Sequence, residues 1–257
     1  MTYYISLILI VLFLGIPLFA AYHYKTGMHR HIISAFSKML LRLGILSICT
    51  YYIIVWNNIF PAILFTIPLI GYTAITILVK ARLRMRTYII PISAGTFISV
   101  AFISACLSPL IIVGNNNLNI GYLLPIFAII ANEIVEGLSK SLSMYYSGLR
   151  NHNQLYYYLL YNGASSSEAL QYLKRRAIKK AFVPNILKTA SMGVSMTPVI
   201  MWAMIMCGEN VINAFLFQLT FTLGTMSGTI IATIVSIYVA HHYIVDDYGK
   251  IVNTPTK

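Results

Sequence analysis

Glu133 and Glu136 stand inside a long apolar run, and carboxylates in that setting are the groups of this chain best suited to do chemistry. At 100° per residue, Asn132, Glu133, Glu136, Ser139, Lys140 and Ser143 fall within an arc of roughly 120°. Phe127, Ile130, Ile134, Leu138 and Leu142 lie on the other side. Two carboxylates near mid-bilayer cost at least ~2.5 kcal/mol each unless paired or wetted. Glu136 and Lys140 are spaced i, i+4 and can neutralise each other along one helix. Arg42, roughly 15 Å into another apolar run, is a further partner, and a contact with Glu133 or Glu136 is predicted. Such a stripe either lines a translocation path, to which Gln218 would also belong, or locks two helices together as a structural ion pair.

Other chemistry is absent from the sequence. It has no G-x-x-x-x-G-K-[ST] phosphate loop, no H-E-x-x-H and no G-x-S-x-G. The chain is therefore expected to be no enzyme, to bind no cofactor of its own and not to hydrolyse ATP alone. The three cysteines, Cys49, Cys106 and Cys207, are widely separated in apolar runs and read as small core residues rather than a disulfide or zinc framework. His23, His29, His31, His241 and His242 sit at the ends of apolar runs and read as solvated interfacial groups. Met192, Met196, Met201, Met204 and Met206 suit soft metal ions, but their helical angles diverge and favour adaptable packing, so no metal ligands are assigned.

These groups need elements to hold them, and the composition says of what kind. Of 257 residues, 58% are hydrophobic and 9% charged, against about 25% charged in a soluble domain. This is an all-α, polytopic membrane helix bundle by expectation. The net charge of +12 is dispersed in short clusters at the ends of apolar runs, a topology signal that argues against nucleic acid. Seven runs are long enough to cross: about 3–22, 32–56, 59–79, 87–113, 121–142, 189–207 and 211–243. Lys25 and Arg30 follow the first, Lys80, Arg82, Arg84 and Arg86 the third, Arg150 and the 174–180 cluster the fifth, and Lys250 and Lys257 the seventh. The loops after the second, fourth and sixth, around Asn57-Asn58, Asn115-Asn116-Asn117 and Gly208-Glu209-Asn210, hold no lysine or arginine. The positive-inside rule then predicts seven spans, N-terminus outside and C-terminus cytoplasmic. The first run lacks a basic leader and is expected to be a span rather than a cleaved signal. Residues 1–257 read as one transmembrane domain with a cytoplasmic helical segment at about 145–186. In the last span Gly224, Gly228, Ala232 and Ser236 form a small-residue stripe for close helix packing, within one copy or between two.

The cytoplasmic segment has its own grammar. Asn162-Gly163 offers a left-handed stop to one helix. Ser165 can cap the next, with Glu168 three residues on to complete a capping box. Lys174-Arg175-Arg176 and Lys179-Lys180 then fall in its later turns, before Pro184 closes it. A basic turn of this kind can simply fix topology.

Gly163-Ala164-Ser165, Glu168-Ala169, the basic helix with Arg175 and Arg176, and Val183-Pro184 resemble the coupling segment of ABC transporter permeases. More narrowly, residues from about 121 to 242 resemble the iron-export ABC permease family (FetB-like). Leu124-Pro125-Ile126 opens a span as that family's Ile-Pro-Ile does, and Gly193 with Pro198-Val199-Ile200-Met201 falls on its Gly…Pro-Gly-Met-Met stretch. The first third matches loosely, through span order, Lys38 and Arg42. The sequence departs from the pattern at Tyr156-Tyr157-Tyr158, where an acidic residue often precedes the turn, at Val199 in place of glycine, and at Arg42 and Glu133, where the family carries neutral polar residues. The resemblance implies a permease subunit in the cell (plasma or inner) membrane that exports iron or another metal ion. It implies a separate P-loop ATPase, consuming ATP with Mg and docked through Gly163, Ala164, Ser165, Glu168, Ala169, Arg175 and Arg176, and two permease copies around one pathway in the lipid. The residues themselves also suit a stand-alone channel or secondary carrier using Glu133 and Glu136, or a non-transporting membrane protein whose basic loop recruits a partner or anionic lipid.

Overall fold

Long apolar runs without internal turn signals become single helices here, and charges or glycines mark where they stop. The structure, a computed structural model, describes residues 2–56, 59–112 and 123–244. Ten helices follow in chain order: α1 (Thr2–His23), α2 (His29–Trp56), α3 (Ile59–Ala81), α4 (Met85–Ile112), α5 (Leu123–Asn151), α6 (Asn153–Tyr161), α7 (Ser166–Ala169), α8 (Gln171–Ser191), α9 (Val199–Met206) and α10 (Val211–Ile244). No β-strand occurs among the described residues. The loop asparagines at 57–58 and 115–117, Gly121, Lys250 and Lys257 lie outside them.

Four helical stretches among the described residues are long and apolar enough to cross a bilayer: His29–Trp56, Leu64–Ala81, Thr87–Ser108 and Val211–His241. The chain is thus a multi-pass, all-α membrane protein. Within the described side chains α1 adds a further apolar stretch, Leu9–His23, α5 carries the charged stripe, and the expected sixth span is broken in two.

The chain falls into two compact units, residues 1–56 and 57–257. In the first, α1 and α2 form a helical hairpin whose turn puts Lys25 and Gly27 at positive φ. Most of its described side chains are exposed apolar groups, such as Phe13, Phe19, Leu41 and Ile48. Cys49 there is half-buried.

The second unit holds the core. Its tightest seam joins α4 to α10, and the small-residue stripe is spent on it. Gly228 packs against Ser99 and Ile103, and Gly224 against Ile103. Ser99 Oγ donates to the Gly228 carbonyl at 2.6 Å. On α4, Gly95 lies so close to Ser236 and to the Ala232 carbonyl that a Cβ would overlap both. The stripe is therefore an internal packing surface.

α5 packs against α3, α4, α8 and α10. Gly137 admits Thr229 of α10 and the Ala181 carbonyl of α8, and Ser141 Oγ donates to the Ala177 carbonyl at 2.9 Å. Asn185 Nδ2 completes the three-helix joint by donating to Thr229 Oγ1 at 3.1 Å. At the far end of α5, Tyr145 and Tyr146 are buried with Tyr88 and Tyr156, the Tyr88 and Tyr146 ring centroids 4.7 Å apart. Tyr156 is thus an anchor of α6 onto the core.

Three sequence expectations need correction. Pro184 does not close the basic helix; it lies buried inside α8, which runs on to Ser191. The span expected at 189–207 is not one helix, because Gly193 takes φ +86° and the chain unwinds from Met192 to Pro198 before α9 begins. Cys106 and Cys207 are exposed rather than core residues.

Candidate functional site: a charge cluster and a capped turn

The apolar face of α5 sets the direction of its polar face. Ile130, Ile134, Leu138 and Leu142 are fully buried, so Asn132, Glu133, Glu136, Lys140 and Ser143 are turned away from the core of their own unit, exposed or half-buried. The carboxylates do not stand alone. Lys188 Nζ of α8 donates to Glu133 Oε2 at 2.7 Å and lies 3.9 Å from Glu136 Oε2. Lys140 Nζ donates to Glu136 Oε1 at 2.7 Å, one helical turn along. The Lys188–Glu133 pair is the more shielded, its side chains 26% and 30% exposed against 49% and 44% for Lys140–Glu136. Two acids and two lysines thus neutralise one another, which offsets the cost of placing charge on an otherwise apolar helix.

Arg42 lies on α2, in the other unit, and the ion pairs of Glu133 and Glu136 run to lysines of their own unit. The sequence reading missed Lys188 because it ended the basic helix at Pro184. With that helix continuous, Lys188 stands eight residues beyond Lys180, ~12 Å further along the axis. That spacing was the available signal.

Four residues past Lys188 the chain unwinds. The Ser191 carbonyl accepts from the N–H groups of Val194, Ser195 and Met196, and Gly193 N–H donates to the Met196 carbonyl at 2.8 Å. Pro198 precedes α9 and supplies no side-chain cap. Gln218 of α10 does so instead: its Oε1 accepts from Met201 N–H at 3.1 Å, three residues into the helix. The Gln218 amide Nε2 donates to Thr222 Oγ1 at 3.3 Å and reaches Met192 Sδ at 3.8 Å. Gln218 is 7% exposed and acts as a cap on the broken span. Thr220 and Thr222 bond back to the carbonyls of Leu216 and Gln218.

The turn at 162–170 forms as its residues dictate. Gly163 takes φ +88°, Ala164 N–H donates to the Leu159 carbonyl and Gly163 N–H to the Leu160 carbonyl, which is a Schellman stop for α6. Ser165 then caps α7 with both halves of a capping box. Its N–H and Oγ each donate to Glu168 Oε2 at 2.8 Å, and its Oγ accepts from Glu168 N–H at 3.4 Å. The Ser165 hydroxyl, then its backbone N–H, hold the Glu168 carboxyl below its ordinary range. Ala169 and Leu170 are buried, so Ala169 ties the turn to the core rather than offering a contact. Arg175 is exposed. Arg176 is half-occupied by its own helix, its guanidinium donating to the Tyr172 hydroxyl at 3.2 Å and lying 5.5 Å from that ring's centroid.

Among the described residues, no three His, Cys, Asp or Glu side chains come together as a metal site. Glu133 and Glu136 are the acids of the second unit's charge cluster, and Lys188 bridges them. No curated protein and no solved structure matches the chain. A family model spans almost all of it, residues 4–244. The match extends over both units, from the α1–α2 hairpin to the end of α10, and on it the chain belongs to the Uncharacterised protein family (UPF0014).

Proposed function

We propose that this chain is the membrane subunit of an ATP-driven exporter of a metal ion such as iron, powered by a separate P-loop ATPase docked at the 162–184 segment. The observation that carries the reading is the continuity of α8. One helix runs from the capped turn at Ser165–Leu170, through the basic residues, to Lys188 in the charge cluster. A rigid rod linking an exposed turn to an intramembrane ion pair is what mechanical coupling requires.

In this mechanism the partner ATPase uses ATP and Mg, and its closure moves α7 and the basic end of α8. Lys188 stands between two carboxylates at 2.7 and 3.9 Å, so a small shift of α8 transfers it from Glu133 toward Glu136. The carboxylate left behind becomes available to a cation. Alternate pairing of one lysine supplies the two-state element that an inward-open to outward-open switch needs. The outward-turned stripe of α5 fits a second copy of the chain facing it across a wet path, since the same stripe against hydrocarbon would be costly. Seven crossings in the cell membrane, N-terminus outside, complete the reading.

The test is reconstitution. An ATPase carrying a phosphate loop should co-purify, and Arg175→Glu, at an exposed position of α8, should release it and abolish ATP-dependent metal flux in vesicles. Flux that persists without any ATPase would instead identify a secondary carrier or channel using Glu133 and Glu136.

A further inference from the structure

A second cluster of cations lies off the path. Lys80 at the end of α3, Lys140 of α5 and Lys180 of α8 converge with Ser139, Ser143 and Ser147 on a cavity of about 270 Å3. At ~30 Å3 per water, that is room for one anionic group and several waters. Three positive side chains from three separate helices repel one another in the folded state, and the acidic group beside them, Glu136, is shared between Lys140, Lys188 and the field of Lys80. Lys140 already holds Glu136. Among the described residues neither Lys80 nor Lys180 forms an ion pair.

The hydroxyls sort the same way. Ser139 and Ser147 donate to carbonyls of their own helix, whereas the exposed Ser143 hydroxyl makes no hydrogen bond with the described residues. An ammonium group from each of two helices, with a hydroxyl donor between them, matches the oxygens of a tetrahedral anion. The cavity lies toward the basic end of the bundle, where α5 leads to Arg150 and α3 to Arg82 and Arg84. Basic pockets between membrane helices at such an end recognise phosphorylated headgroups.

We infer that Lys80, Lys180 and Ser143 form a phosphate-binding site, filled by the phosphate of an anionic lipid headgroup or of a free solute. Lys140 borders both this site and the charge cluster, so an occupant competes with Glu136 for it. The inference stands apart from the transport reading, because it needs neither ATPase nor cargo.

The full chain is purified and placed in nanodiscs of phosphatidylcholine alone or with phosphatidic acid. Retained lipid is counted by native mass spectrometry, and inorganic phosphate is titrated into the neutral discs by calorimetry. Phosphatidic acid retained in preference to phosphatidylcholine, and lost in Lys80→Gln/Lys180→Gln, supports the site with a lipid occupant. Binding of inorganic phosphate lost in the same variant supports it with a solute occupant. The loss expected is about 30-fold, roughly fivefold per lysine. Lys174→Gln/Arg175→Gln removes the same charge away from the cavity and should retain binding. Equal loss in both double variants, or binding of neither probe, overturns the inference.

Discussion

The Lys188 ammonium lies 2.7 Å from the Glu133 carboxylate, the shorter of its two ion pairs that tie α8 to the polar stripe of α5. Lys188→Met strands Glu133 without its nearest cation. The pair is partly shielded, so the cost falls between that of exposed and buried pairs, about 1–3 kcal/mol. Lys188→Met/Glu133→Gln removes both charges and should recover most of it. Thermal unfolding in detergent reads the cycle; a double variant as unstable as the sum of the singles would mean the two residues are not coupled.

Gln218→Leu deletes the side chain that receives Met201 N–H, leaving the first turn of α9 uncapped at a cost of about 1–3 kcal/mol. Hydrogen exchange should accelerate at Met201 and its neighbours while α10 beyond Thr225 stays protected. Unchanged protection at Met201 would remove Gln218 from the role of cap.

Much of this was written into the chain, and the places where it was not share a cause. α10 begins at Val211 and ends within a residue of its expected limit, because a long apolar run bounded by Gly208-Glu209-Asn210 has one cheap solution. The Ser165–Glu168 box was legible because it is purely local chemistry. The break at Met192–Pro198 was not, since apolar Met192, Val194 and Met196 continue the hydropathy of a span while Gly193 and Pro198 leave its helical bonds. Gln218 and Met201, seventeen residues apart, are brought together only by the fold. Pro184 misled for the opposite reason: it removes one helical N–H, but burial against the core keeps α8 intact around it.

Two glycines of different kinds give opposed outcomes. Gly95→Ala puts a Cβ against Ser236 Oγ and 2.8 Å from the Ala232 carbonyl, an overpacking cost of about 1–3 kcal/mol. Gly163→Ala meets no atom within 4 Å but must hold φ +88°, a left-handed cost of about 1–2 kcal/mol. Ser236 Oγ is buried without a hydrogen bond, so Ser236→Ala frees room at little expense. In thermal unfolding it should partly rescue Gly95→Ala and leave Gly163→Ala where it was. Equal response of the two variants would contradict the close α4–α10 seam.

Glu168 makes the capped turn at 165–170 sensitive to acid. Its carboxyl is held below the ordinary range by the Ser165 hydroxyl and then the Ser165 N–H. A depressed folded-state pKa stabilises above the unfolded value, about 4.3 for glutamate, and that contribution fades as pH falls through the lower folded value. The capping box should therefore be intact at neutral pH and weaken only below about pH 4. In an amide-labelled sample, the Ser165 N–H resonance should titrate in that acid window and lose its pH dependence in Glu168→Gln. A Ser165 resonance that titrates at or above the ordinary glutamate range would mean that the serine bonds do not favour the charged carboxylate, and the capping box would then hold the turn through neutral hydrogen bonds alone.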